Sequence, residues 1–386
     1  MKFLMGLVLL AGTCAFALDN GLARTPPMGW NSWNKFGCDG INDKVVRESA
    51  DTMAANGMKD AGYQYIVIDD CWQVSRDANG NIVPDPQHFP NGIKPVADYV
   101  HSKGLKFGIY SDAGAKTCAG RPGSWGYEFQ DARQYAAWGV DYLKYDWCNN
   151  GGQNSTAAYS RMRDALLASG RPIVFSLCEW GSTKPWLWAK DIGNLWRSTG
   201  DIQDCWECKK DWGGLGFVQI IDLMAGLESY AGPGHWNDPN MLEVGNGGMT
   251  DSEYRAHFSL WAVLAAPLMA GNDIAKMTDA TKAILLNKEV IAVDQDPAGL
   301  EGRRVRKDGD FEIWVKQLND GGRAVALLNR SGGAKDMSVA WTEIGYPDSL
   351  PAAVRDLWAK KDLGRLKGSF AASVPSHGVV LVTVKP

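Results

Sequence analysis

Short apolar runs alternate with longer segments of helical period from about residue 22 to 295. The runs cover 28–33, 65–70, 107–112, 142–146, 173–179, 195–201, about 230–238 and 268–273. Between them lie amphipathic stretches such as 43–56, 93–103, 128–138, 156–169 and 218–227. Strands alternating with helices predict a parallel sheet of the α/β class. Eight runs at a mean step of about 34 residues match the length of a strand-plus-helix unit, so the prediction is a closed (β/α)8 TIM barrel. No G-x-G-x-x-G follows the first run, so the fingerprint of a dinucleotide fold is missing.

Beyond residue 300 the pattern changes. The runs 311–317, 324–329, 353–358 and 379–384 are short, β-rich and separated by glycine, Asp-Gly and proline turns. They predict a small C-terminal antiparallel β-sandwich. The expected organisation is a catalytic barrel over 18–298 and a β domain over 299–386. The latter has no acid cluster of its own and is expected to serve packing.

Nearly every barrel run ends in an acid: Asp69-Asp70, Asp112, Asp146, Glu179, Asp201, Asp238 and Asp273. Barrel enzymes carry their chemistry at the C-terminal ends of the strands. A single carboxylate there is equally explained as a cap on the following helix. Acids on seven of eight strands are better explained by a shared carboxylate-lined mouth.

Residues 1–17 read as a signal peptide, with Lys2, an apolar run and Ala15-Phe16-Ala17 as an A-x-A cleavage site. The run is shorter than the ~20 residues that cross a bilayer, so no membrane association is expected after cleavage behind Ala17. A secreted or periplasmic destination follows. The net charge of -4 gives no basic footprint for nucleic acid. Tryptophan is abundant, 17 against 11 Phe and 12 Tyr; its flat face packs cores and also covers the C–H face of a sugar ring. Seven cysteines remain after cleavage, Cys38, Cys71, Cys118, Cys148, Cys178, Cys205 and Cys208. In an exported chain they are disulfide candidates, and their odd number leaves one over. Cys205-x-x-Cys208 has no second pair at metal spacing, and the five histidines form no cluster, so neither metal nor cofactor is expected.

Two carboxyl groups with opposed tasks suffice to cleave a glycoside. In 142–146, Lys144 and Asp146 share one strand face, and an ammonium beside a carboxylate favours the ionised form that a nucleophile needs. Asp201 ends a run two strands onward, where the charge of Asp146 is expected to raise its pKa and keep it protonated. Asp204, three residues on, has the same composition and stays open as an alternative.

At this point several motifs resemble a family. The segment 22–33 (LARTPPMGWNSW), 65–72 (YIVIDDCW), 108–114 (GIYSDAG), Lys144-Tyr145-Asp146 and Trp236-Asn237-Asp238-Pro239 occur in the order found in the α-galactosidases (melibiases) of glycoside hydrolase family 27. The resemblance is close over about 18–300 and looser beyond. It implies a retaining double displacement, with Asp146 as nucleophile, Asp201 as acid/base and carboxyl groups ~5–5.5 Å apart or a little more. It also implies that Trp33, Asp69, Asp70, Tyr110, Lys144, Glu179, Trp180 and Arg197 hold the sugar. Asp69 and Asp70 would take the 4- and 6-hydroxyls, and Lys144 the 3- and 4-hydroxyls. The substrate implied is a terminal α-D-galactoside such as melibiose, a raffinose-type oligosaccharide or a galactomannan branch.

Glu179 and Trp180 stand where the related N-acetylgalactosaminidases resemble a small Ser/Ala pocket, which favours a free 2-hydroxyl. The pair Asp69-Asp70 likewise resembles galactosidases rather than β-L-arabinopyranosidases. An inactive sugar-binding barrel is the remaining alternative, although both acids are present. Asn240 departs from the pattern, since many relatives carry an acid there. The family pairings Cys38–Cys71 and Cys118–Cys148 would fasten loops at the mouth; Cys205 with Cys208 would then leave Cys178 free.

Overall fold

The computed structural model describes residues 18 and 20–386. The signal peptide read at 1–17 lies outside the described residues. Eight parallel strands form one sheet: β1 Met28–Asn31, β2 Tyr65–Val67, β3 Lys106–Asp112, β4 Tyr142–Asp146, β5 Val174–Cys178, β6 Leu195–Arg197, β7 Trp236–Asp238 and β8 Leu268–Ala270. The order is β8-β1-β2-β3-β4-β5-β6-β7. Leu242, just past β7, pairs with Ala270 of β8 and closes the ring. These are the eight predicted runs, each in its expected place.

Period-two alternation divides the side chains of each strand between two cores. Tyr65, Val67, Tyr142, Val174, Leu195, Trp236 and Met269 pack together inside the barrel. Ile66, Phe107, Leu143, Tyr145, Phe175 and Trp196 face the helix layer. Two glycines make room for the large inner rings. A Cβ on Gly29 would stand 2.5 Å from the Tyr65 carbonyl oxygen, and one on Gly108 would stand 2.6 Å from Val67.

The helix layer includes α1 Asp43–Ala55, α2 Lys94–Ser102, α3 Glu128–Trp138, α4 Ser155–Ala168, α5 Phe217–Met224 and α6 Asp251–Val263. Side-chain caps start several of them. Asn42 accepts from Val45 N and Asn154 from Ala157 N, while Thr250 and Glu253 form a reciprocal capping box. Helix α6 is buried on nearly every face because it lies between the barrel and the C-terminal domain.

That domain contains β9 Arg303–Asp308, β10 Phe311–Gln317, β11 Arg323–Asn329, β12 Lys335–Ala340, β13 Ala352–Asp356, β14 Lys361–Leu366, β15 Ser369–Val374 and β16 Gly378–Lys385. A six-stranded sheet (β9-β10-β11-β16-β13-β14) faces the pair β12-β15 over a core of Val325, Leu327, Val339, Trp341, Phe370 and Val382. The predicted sandwich is therefore present.

Disulfides join Cys38–Cys71, Cys118–Cys148 and Cys205–Cys208, leaving Cys178 buried and free. Asn154-Ser155-Thr156 and Asn329-Arg330-Ser331 have the form of N-glycosylation sequons, and Asn154 is exposed at the start of α4. Asn329 is fully buried, its amide donating to the carbonyls of Gly333, Val374 and Pro375, so it offers no acceptor for glycosylation in the folded chain. Among the described residues no helix is long and apolar enough to cross a membrane.

Candidate active site

The ends of β2 to β6 bring the charged side chains together at one mouth. Register places Asp112, Asp146 and Cys178 side by side across β3, β4 and β5, with Tyr110, Lys144 and Ser176 one layer deeper. Tyr142, Lys144 and Asp146 take the inner face because Leu143 and Tyr145 are committed to the helix layer.

Asp146 is almost fully buried. Its Oδ1 accepts from Trp147 N at 2.9 Å and its Oδ2 from the Tyr110 hydroxyl at 3.0 Å. Burial pushes its carboxyl up to about 6, against the lowering field of Lys144. The direct ion partner of Lys144 is Asp69, at 2.8 Å. Asp69 also accepts from Asn31 Nδ2 at 2.7 Å. Lys144 therefore acts on Asp146 through space, while its own ammonium is held charged by Asp69 despite burial. Asp70 accepts from Cys71 N at 2.7 Å and Ala119 N at 2.9 Å, tying the end of β2 to the loop that Cys118–Cys148 closes.

Asp201 is different. Its side chain is 41% exposed, and Arg197 Nη2 donates to its Oδ1 at 2.9 Å. The Asn240 amide adds a longer contact at 3.4 Å. Although burial acts to raise it, Arg197 holds the Asp201 carboxyl below its ordinary value. The expectation that Asp146 keeps Asp201 protonated is thus corrected, because the guanidinium is an immediate partner and outweighs the neighbouring carboxylate. Asp204 is occupied elsewhere: it accepts from the Tyr254 hydroxyl at 2.8 Å and from Gly248 N at 2.5 Å.

The other strand-end acids mostly serve the backbone. Asp112 accepts from Gly114 N and Cys148 N, and burial together with the charge of Asp146 pushes it up to about 9. Asp238 accepts from Asn240 N, and Asp273 caps Ala275 N. Cys178 occupies the inner face of β5, so the next residue turns toward the helix layer. The Oε2 of Glu179 accepts from Thr183 N at 2.6 Å and Thr183 Oγ1 at 2.8 Å, while its Oε1 is buried without a partner. Glu179 therefore fixes the turn from which Trp180 projects at φ 59° and keeps one carboxylate oxygen, Oε1, unpaired.

Asp112, Cys118, Asp146 and Cys148 crowd within 4.8 Å of one another, but both sulfurs are used in a disulfide, so the group lacks its thiolate donors. Composition did not draw attention to Trp212, Glu243 and Asn246. They line a cavity of about 730 Å³ beside Trp33 and Asp201. The Gly-Gly pair after Trp212 and the acid following 239–242 were the available signals.

A closed barrel with ion-paired carboxylates at its strand ends, followed by a β-sandwich, defines a glycoside hydrolase of the (β/α)8 class. The family model for alpha galactosidase A matches residues 25–296, and that for the alpha galactosidase C-terminal beta sandwich domain matches 308–384. The chain belongs to this alpha-galactosidase family. It is 52% identical over 379 residues to alpha-galactosidase A of Cellvibrio japonicus, covering 95% of this chain and 93% of that protein. The crystal structure of alpha-galactosidase I from Mortierella vinacea superposes with a TM-score of 0.93 at 42% identity, covering 95% and 98% of the two chains. The structure of the Saccharomyces cerevisiae alpha-galactosidase with raffinose superposes with a TM-score of 0.90 at 33% identity, covering 95% and 99%.

Proposed function

We propose that this chain releases terminal non-reducing α-D-galactose by a retaining double displacement, with Asp146 as nucleophile and Asp201 as acid/base. The observation that carries the reading is the pairing of a buried carboxylate, Asp146, with a reachable one, Asp201, at the mouth of a barrel that belongs to the alpha-galactosidase family.

In the first step an Asp146 oxygen attacks C1 while Asp201 transfers its proton to the glycosidic oxygen. The C1–O bond breaks, the aglycone leaves as an alcohol, and the sugar is held as a β-linked ester. In the second step Asp201, now ionised, takes a proton from water as the water oxygen attacks C1. The ester breaks, α-galactose departs, and Asp201 is protonated again.

Asp201 must be protonated to begin, while its contact with Arg197 favours the ionised form. In this reading Arg197 turns to a sugar hydroxyl when substrate binds, and Asp201 then recovers its proton as the guanidinium field weakens. Asp69, Asp70 and Lys144 form the acceptor and donor set for the hydroxyls around an axial O4. A buried set of this kind discriminates strongly against a sugar lacking the matching group. Trp33, Tyr110 and Trp180 complete the sugar site, with Glu179 acting indirectly through the turn that carries Trp180. Export to a secreted or periplasmic location is part of the proposal and is supported by three disulfides.

A panel of aryl α-galactoside, α-N-acetylgalactosaminide and β-L-arabinopyranoside, with melibiose and raffinose alongside, tests the reading. The α-galactoside should dominate by kcat/KM. Preference for either other aryl glycoside, or binding of galactose without turnover, would overturn it.

A further inference from the structure

Two side chains, Arg197 and Asn240, touch the half-exposed Asp201 carboxylate. Its position otherwise depends on the segment that follows it. That segment folds back on itself: Leu215 N donates to Asp201 O at 2.8 Å, Gln203 N to Leu215 O at 2.7 Å and Gly216 N to Cys208 O at 2.7 Å. The Cys205–Cys208 disulfide closes the turn that carries Trp206. Phe217 N donates to Cys205 O and Val218 N to Trp206 O, which locks this turn to the start of α5.

Trp206 is buried and belongs to a run of four stacked rings. His377 lies on it with ring centres 5.0 Å apart and planes 15° apart, and Phe217 stacks on it at 4.8 Å and 30°. Trp261 of α6 follows Phe217 at 6.0 Å and 28°. These separations are those of attractive offset stacking. The far end of the run returns to the site: Trp261 Nε1 donates to Asn240 O at 2.8 Å, and Asn240 Nδ2 reaches Asp201 Oδ1 at 3.4 Å. The rings therefore meet Asp201 twice, through the chain from 201 to 206 and through Asn240.

The first ring of the run comes from the other domain. His377 stands in the turn between β15 and β16 at φ 44°, a conformation in which His is among the enriched residue types. Ser252 Oγ donates to its carbonyl at 3.3 Å, and the Glu253 carboxylate accepts from its Nδ1 at 2.8 Å. Glu253 is itself fixed by the capping box that starts α6. The imidazole is thus clamped at its edge by α6 and covers Trp206 with its face. A close-packed interior is stiff, so the loss of one ring is passed along the others.

We propose that His377 is a positioning residue for the acid/base: by closing the end of the ring stack it holds the chain from 201 to 206 where Asp201 reaches the glycosidic oxygen. The β domain thereby takes a part in catalysis beyond packing. The proposal rests on the galactosidase reading. Asp146 belongs to β4 and is fixed separately by Trp147 N and the Tyr110 hydroxyl, so the loss of His377 falls on proton transfer.

The test uses two substrates that differ in their need of an acid. Methyl α-galactoside would lose a strongly basic alkoxide unless it is protonated, whereas α-galactosyl fluoride loses weakly basic fluoride. The readout is the ratio of their kcat/KM values, methyl over fluoride; a partly unfolded preparation lowers both rates together and leaves it unchanged. His377→Asn removes the ring and keeps a residue that tolerates the positive φ. The ratio should fall about tenfold or more, the scale of a small misplacement of a catalytic group. Trp206→Leu breaks the same stack from the barrel side and should lower the ratio as well. His377→Phe restores a ring without the Glu253 contact and should bring the ratio back to within about threefold of wild type. An unchanged ratio in His377→Asn, or no recovery in His377→Phe, would overturn the role of His377. Asp201→Ala sets the scale, since loss of the acid itself should lower the ratio on the order of 10²-fold or more. An unchanged ratio in Asp201→Ala would overturn the acid/base reading and the proposal with it. A fall there with none in His377→Asn would overturn the proposal alone.

Discussion

Arg197 donates to Asp201 across 2.9 Å, and this contact favours the ionised form of Asp201. It holds Asp201 below the ordinary carboxylate range while burial pushes Asp146 up to about 6. The charge of Asp201 adds to the raising of Asp146. With these directions the proton of the singly protonated form rests mainly on Asp146. The form active in the first step, with the proton on Asp201, is its minor tautomer, whose population rises and falls with it across pH. A plot of kcat/KM against pH for an aryl α-galactoside should be bell-shaped. Its alkaline limb should lie near about 6, and its acidic limb below the ~3.9 of an ordinary Asp. A flat profile, or an optimum above pH 7, would contradict this charge arrangement.

Asn240 gives a way to move that profile without touching the proposed sugar-binding residues. Its amide reaches Asp201 at 3.4 Å, and its backbone sits at φ 94°, where Asn and Asp are among the better tolerated side chains. Asn240→Asp replaces a donor with a second carboxylate beside Asp201, and like charge raises a carboxyl pKa. The acidic limb of the profile should shift upward, and by more than the alkaline limb, because the contact is with Asp201 and not with Asp146. An unmoved or lowered acidic limb would mean that Asn240 does not influence the acid.

Asp146→Gly removes the proposed nucleophile and leaves space at C1. Turnover of an aryl α-galactoside should fall on the order of 10⁴-fold or more, the scale of losing a nucleophile. Azide should restore part of the rate by attacking from the vacated face, and the product should be β-galactosyl azide, identified by NMR. Restored rate with an α-azide product, or retained activity without azide, would exclude Asp146 from this role.

The barrel was legible because its strands are apolar on both faces and its helices are not. The segment Tyr142–Asp146 matches its predicted run residue for residue. Four strands of the β domain were not read: Arg303–Asp308, Lys335–Ala340, Lys361–Leu366 and Ser369–Val374. They carry many exposed positions, so little apolar alternation marks them. Helix α6 was missed for the opposite reason, since burial from both domains removes its polar stripe, although Thr250 and Glu253 announced its start. At the site, period two correctly aligned Lys144 with Asp146 but could not show that Asp69 takes the ammonium. The separation of Asp201 from Asp204 depended on Tyr254 and Gly248, contacts made 50 and 44 residues away.

Buried acids give the fold its own pH dependence, separate from catalysis. Burial pushes Glu179 up to about 7, Glu301 to about 8 and Asp112 to about 9. A carboxyl whose folded pKa exceeds its unfolded value binds its proton more tightly in the native state. Its stabilisation is complete below the unfolded pKa and is lost as pH rises through the folded one. The melting temperature should therefore fall between about pH 5 and 9, counter to the behaviour of surface ion pairs. Glu179 isolates one contribution. Its shift from 4.5 to about 7 corresponds to a loss on the order of 3 kcal/mol once pH exceeds both values. Glu179→Gln keeps an acceptor for Thr183 and cannot ionise, so it resembles the protonated acid. Its melting temperature should match wild type near pH 4.5 and exceed it by several degrees at pH 8. Equal melting temperatures at both pH values would show that Glu179 is already charged in the native fold.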